Sequence, residues 1–306
     1  MKVLKVKNTD TKSIFASPAL VLMVLPGFLL LIIFRYLPIS NIVVAFKDYN
    51  IFEGVLKSPW VGLKHFRTLF SMPKFYSVLK NTFIISGLKI AFGFPAPIIL
   101  ALTINEVNHV TYKRIVQNIF YLPHFMSWVV IGGLCFDIFG KNGILNSIGA
   151  AFGLPTKLFL MDPKSIRGVL VITDIWKDVG WGSIIYLAAL TSIDPELYNA
   201  AKIDGAGRFA QIFHITLPEL MDVIVVMFIM RLSSVLTVGT DQILMLDNSR
   251  VTNVIEVLDT YVWRMGISKG NYDFTTAVGL FTSVVNAAFV LTANFIVKAK
   301  RGEGIW

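Results

Sequence analysis

The chain has 306 residues, 55% of them hydrophobic and only 15% charged, and its mean hydropathy is +0.68. Soluble domains carry about 25% charged residues, so this composition excludes a single globule folded in water. The net charge of +9, from 28 Lys and Arg against 19 Asp and Glu, argues for basic membrane edges facing anionic lipid. It does not argue for nucleic-acid binding, because no RNA- or DNA-binding motif accompanies it. Cys135 is the only cysteine. It excludes an internal disulfide and, lying in an apolar run, reads as a small packing residue.

The basic segment Met1 to Lys12 precedes an apolar stretch too long for a signal-peptide core, which reads instead as a retained first helix. A bilayer-spanning helix needs about 20 mostly apolar residues. Six segments qualify, at about 17–37, 78–104, 115–139, 166–190, 220–246 and 274–297. The expected fold class is therefore all-α and integral to the membrane. It comprises a tail at 1–16, one transmembrane domain at 17–297 and a tail at 298–306. Pro26, Pro95 and Pro97 fall inside these spans, which is tolerated where neighbouring helices satisfy the freed carbonyls and so points to a packed bundle. Basic residues are denser in the shorter inside segments when both termini are placed in the cytoplasm, as a multi-pass protein of the cytoplasmic membrane.

Outside the spans, Lys47 to Tyr76 holds Trp60, Gly62, Phe66 and Phe70 among turn formers and charges and reads as a structured external cap. Asn142 to Phe152, with Ile144, Leu145, Ile148 and Phe152, reads as a short interfacial helix. No soluble domain is present, since the longest polar stretches are too short for one. The stretch Ser192 to Pro218 contains two helix starts. Asp194 precedes Pro195 and Glu196, a capping residue followed by proline at the first helical position. Asp204-Gly205 then breaks that helix near Ile203, with Gly205 free to take a positive φ and Asp204 placed to cap a second helix. Phe209, Ile212 and Phe213 would share a face of the second helix. Pro218 would mark entry to the next span. Taken alone, this is also the pattern of an ordinary interfacial helical hairpin.

The sequence NAAKIDGAGRFAQIFHITLP resembles the signature loop of membrane subunits of binding-protein-dependent ABC importers. Ala200, Ala201, Asp204, Gly205, Ala206, Ile215, Leu217 and Pro218 match it position by position. Asn199 stands where the family has Glu, and Ile212 stands at its Phe position. The external WVGLKHFRTLF and the later TYVWRMGI and AVGLFTSVVNAAFVLTANFIVK look like the sugar branch, closest to the first permease of maltose-type pairs without the large external domain. The resemblance implies a type I importer permease bundle for a carbohydrate, in particular an oligosaccharide. It makes residues 192–218 a cytoplasmic coupling loop, with Asn199, Ala200, Ala201, Asp204, Gly205, Ala206 and Pro218 facing an ATPase. It further implies a second homologous permease, two cytoplasmic ATPase subunits and an external solute-binding protein. ATP and Mg would be held by the ATPase, with no cofactor on this chain.

The residues themselves agree that ATP chemistry lies elsewhere. No GxxxxGK[ST] loop, HExxH, CxxC or GxSxG occurs, and His65, His109, His124 and His214 are dispersed rather than clustered for a metal. Ionisable residues within spans cost roughly 3 kcal/mol each and face a cavity or a partner. Lys89, Asp174, Lys177, Asp178, Arg231 and Asp241 fall in spans, with Asp174 and Lys177 spaced for a pair within one helix. Trp176, Lys177, Asp178, Trp181, Arg231, Asp241 and Asn286 are candidates for a substrate path, since sugars need polar partners and aromatic faces. The same residues also suit ion pairs between helices. Two alternatives to the oligosaccharide importer stay open: an importer of another solute such as a phosphorylated polyol, and a stand-alone carrier or intramembrane enzyme.

Overall fold

The computed structural model describes residues 18–301, so the tail at 1–16 and the last five residues lie outside it. Within the described residues the architecture is helical, and the β-type pairing found is an isolated bridge between Lys47 and Trp60. The first helix, α1, starts at Pro18–Leu31 and continues through wider and then tighter turns to Phe46, beyond the expected end at residue 37. A cap follows, in which Phe46 stacks on Trp60 at 5.7 Å between ring centroids and packs against Phe66 at 5.6 Å. Its helix α2 covers Lys64–Ser71. Helix α3 runs as one rod over Pro73–Asn105. Next come α4 (Val110–Tyr121), α5 (Trp128–Phe139) and α6 (Ile144–Ala151). After these lie α7 (Ile166–Leu190), α8 (Pro195–Ile203) and α9, a rod over Arg208–Leu232. The chain ends with α10 (Thr240–Leu246), α11 (Leu258–Trp263) and α12 (Tyr272–Arg301).

Five helical segments are long and apolar enough to cross a membrane: Val21–Phe46, Pro73–Asn105, Trp128–Ala151, Arg208–Leu232 and Tyr272–Ala299. The 25-residue α7 matches them in length at about 37 Å. It carries four charges, Arg167, Asp174, Lys177 and Asp178, and all four find partners within the chain. Arg167 donates to Asn81 Oδ1 at 2.8 Å and to the Val254 carbonyl at 3.1 Å.

Three rods widen locally into π-type turns at Ile32–Tyr36, Lys89–Gly93 and Ile212–Thr216. Each widened turn ends two residues before a proline: Pro38, Pro95 and Pro218 respectively. Proline has no N–H to offer the preceding turn and its ring crowds the carbonyl four residues back, so an extra residue in that turn relieves both problems without ending the helix. Pro218 therefore sits inside a continuous rod rather than at the entry to a new helix.

Two expected spans are broken instead of continuous. The 115–139 segment stops at Tyr121 and restarts at Trp128, because Pro123 removes a donor and Ser127 caps the new helix through Val130 N at 3.4 Å. The 220–246 segment begins earlier, at Arg208, and breaks over 233–239, where Gly239 adopts φ 102°. Both breaks release backbone groups that must find partners in a water-poor interior.

Packing falls into three apolar clusters. Ile98, Ala101, Ile104, Tyr186, Leu190 and Leu220 join α3, α7 and α9 near the hairpin. Ile85, Ile131, Ile166, Leu170 and Ile243 join the other ends of α3, α5, α7 and α10. Leu69, Phe75, Leu236, Leu258 and Phe274 fasten the cap to α3, α11 and α12. Gly180 lets α7 press against the end of α4: a Cβ there would lie 2.0 Å from the Phe120 carbonyl oxygen.

Candidate functional site

Two features meet on α9, a charged cavity at one end and the 192–218 hairpin at the other. In the hairpin, Asp194 Oδ1 accepts from Glu196 N at 2.9 Å, capping α8 with Pro195 in the first turn. The helix ends at Ile203, and Gly205 takes φ 77°. Ala206 N then donates to Ala201 O at 2.8 Å, closing the last turn with a glycine in the left-handed region. The second cap departs from expectation. Gly207, not Asp204, precedes α9, and no side chain caps it. The bend takes three residues, 205 to 207, so Asp204 belongs to the end of α8. Tyr198 Oη lies 3.0 Å from Thr216 Oγ1, and Gln211 Nε2 donates to Ala206 O at 2.8 Å, bracing the two arms.

Asn199, Ala200, Asp204, Gly205 and Pro218 are exposed and Ala201 and Ala206 half-buried. Around them Ile203, Phe209 and Phe213 are 87%, 79% and 62% exposed. Ile212 is half-buried, so the face is carried by Phe209 and Phe213. Glu196 lies one turn before Asn199 and is exposed, leaving a carboxylate near the position where Glu was expected.

The cavity, about 370 Å³, lies between α3, α7 and α9. Of the proposed path residues it brings together Asp178 and Arg231, and it adds Lys89 and Asp174. Lys89 is 2% exposed; its Nζ donates to Asp174 Oδ1 at 2.6 Å, Gln242 Oε1 at 2.5 Å and Val238 O at 2.9 Å. Gln242 in turn donates to Leu170 O at 2.7 Å and Thr173 Oγ1 at 2.9 Å. One ammonium thus ties α3, α7 and the broken stretch after α9. The expected Asp174–Lys177 pair does not form. Lys177 points away from Asp174 into the break after α4, donating to His124 O at 2.6 Å and Met126 O at 2.7 Å. Asp178 accepts from His124 Nδ1 at 2.8 Å.

The remaining path candidates lie elsewhere. Trp181 stacks on the His124 ring at 4.5 Å between centroids and meets Phe125 edge-on at 5.8 Å, with both Trp181 and Phe125 open to the outside of the chain. Trp176 is also half-exposed. Asp241 is exposed in the first turn of α10, separated from α9 by the break. Asn286 accepts from Leu236 N at 3.1 Å and serves the break rather than the cavity. Lys89 and Gln242 were the residues whose site role the sequence hid. Their signal was a lysine in mid-span, but its partners are 85 to 153 residues away.

The family model described as binding-protein-dependent transport system inner membrane component matches residues 93–300. The chain belongs to this family. As a permease of this family it is 43% identical over 288 residues to the polygalacturonan/rhamnogalacturonan transport system permease protein YteP of Bacillus subtilis, covering 94% of this chain and 90% of that one. It is 42% identical to protein LplB of the same organism, covering 94% and 91%. Among solved structures it superposes on a chain of the bacterial alginate ABC transporter, crystallised with alginate pentasaccharide-bound periplasmic protein. The TM-score is 0.87 and the identity 38%, over 96% of this permease and 99% of that chain. The match confirms the type I permease fold, and the hairpin and most of the cavity lie within the family segment.

Proposed function

We propose that this permease forms half of the pore of an importer that carries oligosaccharides derived from polysaccharides across the bacterial cytoplasmic membrane. A second, homologous permease supplies the other half, and lipid and that partner cover the bare faces of α1. Two cytoplasmic ATPase subunits hold ATP and Mg²⁺, and an external solute-binding protein delivers the sugar. In this reading α7 is the sixth span in the count and fourth in the chain, and both termini are cytoplasmic. Its charges are tolerated because the bundle answers each of them.

The observation that carries the proposal is the continuity of α9. The hairpin leads without interruption into a 25-residue rod whose far end, Met227, Met230 and Arg231, walls the cavity. The exposed Ile203, Phe209 and Phe213 dock into the ATPase. Closure of the ATPase dimer moves the hairpin, α9 moves with it as one body, and the cavity changes the side to which it opens. Trp181 and Phe125 offer aromatic faces to the apolar faces of sugar rings, beside the carboxylate of Asp178. Gly205→Trp and Asp204→Arg are expected to abolish co-purification of the ATPase subunits and ATP-dependent uptake while the permease stays in the membrane. Intact association and uptake in both variants would remove the hairpin from the coupling path.

A further inference from the structure

Four charged side chains line the cavity: Lys89, Asp174, Asp178 and Arg231. Three are answered. Lys89 and Asp174 pair with each other, and Asp178 accepts from His124. Arg231 differs. Among the described residues no carboxylate lies within 4 Å of its guanidinium, and no hydrogen bond from it is formed. A guanidinium carries five N–H donors in a fixed fork and stays charged at any accessible pH. Left without an acceptor in a membrane interior it is costly. Its fork matches a carboxylate, which it takes through two parallel hydrogen bonds.

We propose that Arg231 is the residue that selects anionic oligosaccharides by binding a uronate carboxylate in this cavity, and that Lys89 preserves that capacity by holding Asp174 away from it. The proposal rests on the cavity being part of the sugar path. Phe94, Pro97 and Met227 provide apolar wall for the faces of the sugar ring, while Arg231 supplies the one unanswered charge. Lys89 acts through Asp174 as a positioning residue. It keeps this carboxylate within 2.6 Å of its own ammonium, and it is itself anchored by Gln242 and the Val238 carbonyl. Without Lys89, Asp174 would be left as an unpaired carboxylate lining the same cavity as Arg231. A cation in the last turn of α9 also favours the helix dipole, a purely structural role that predicts no ligand preference.

The test is equilibrium binding to the assembled complex of both permeases and ATPases in detergent, without the solute-binding protein. The probes are trigalacturonate, trimannuronate, their carboxyl-reduced counterparts and glycerol 3-phosphate. The wild-type complex is expected to prefer at least one uronate trimer over its reduced form by about tenfold to a hundredfold, the range of a hydrogen-bonded charge pair. Arg231→Gln should erase that preference and leave the reduced trimers bound as before, and Arg231→Lys should retain part of it. Lys89→Met should reduce the preference by freeing Asp174, and Lys89→Met with Asp174→Asn should restore it, with the reduced trimers bound equally well in both variants, whereas a purely structural role of Lys89 would change charged and reduced trimers alike. A preference that survives Arg231→Gln, an equal loss of charged and reduced trimers, or displacement of sugar by glycerol 3-phosphate would each overturn the proposal. Binding of reduced and charged trimers with equal affinity removes the charge selection but leaves the oligosaccharide importer standing. Failure to bind or import any of the trimers removes the importer reading itself.

Discussion

Two breaks in long helices are each closed by a lysine, and they are closed differently. At the break after α4, Lys177 donates to backbone carbonyls of Pro123, His124 and Met126 and lies 5.7 Å from the Trp128 ring centroid. At the break after α9, Lys89 meets one carbonyl, one amide side chain and one carboxylate. The first lysine replaces missing backbone donors and meets an aromatic face, without answering a carboxylate. The second also neutralises a charge, so it joins the integrity of the bundle to the electrostatics of the cavity. The lesson is that similar chemistry at two kinks separates a bracket from a part of the site.

Substitutions at each break separate the roles of the two lysines. The largest effect is expected for Lys89→Met, which leaves Asp174 partly buried without its partner. Removing one member of such a pair costs about 3–5 kcal/mol, read as a lowered thermal midpoint of the assembled complex. Adding Asp174→Asn should recover much of it. Lys177→Met leaves neutral carbonyls unanswered, at about 1–3 kcal/mol. No substitution of a carboxylate should rescue it, and a rescue by Asp178→Asn would show that Lys177 neutralises a charge as Lys89 does. Gly239→Ala places a Cβ at φ 102°, a strain of about 1–3 kcal/mol, and sharpens the contrast because the added atom approaches Lys89 Nζ at 3.7 Å.

The smallest effect is expected at a turn to which no lysine ammonium donates a hydrogen bond. Asp162 caps the turn before α7, accepting from Lys164 N at 3.0 Å and Ser165 Oγ at 3.1 Å. The backbone N–H of Lys164 holds its carboxyl below the usual range. A depressed carboxyl contributes order that is present above its unfolded-state pKa and lost as pH falls through the lower folded value. Hydrogen exchange at Lys164 and Ser165 should therefore quicken only in acid, and Asp162→Asn should remove that pH dependence while leaving the two lysine-closed breaks unchanged.

The fold's apolar rods and the hairpin were legible in sequence because their causes are local. Run length marks the rods, while Asp194-Pro195 and Gly205 mark the bend. The two breaks were not legible from periodicity, because apolar residues recur through both stretches, at Leu122, Phe125 and Met126 in one and at Val235, Leu236 and Val238 in the other. What makes a break affordable in a membrane is a donor far away in sequence, here 149 residues away for Val238. The same distance hid the choice between Lys177 and Lys89 as the partner of Asp174. Helical spacing favoured the near lysine, and tertiary packing favoured the one that three elements could surround.

The first helix has a further consequence, for how the chain is made. Every residue from Leu22 to Val43 is exposed, and burial begins only at Val44 and Ala45, where the rod meets α12. With a mean hydropathy of 2.1 over its apolar window, this rod needs nothing from the rest of the bundle to enter lipid. It is built to insert before the helices that follow it are made, and to wait there for α12, which gives it its most extensive packing against another helix among the described residues.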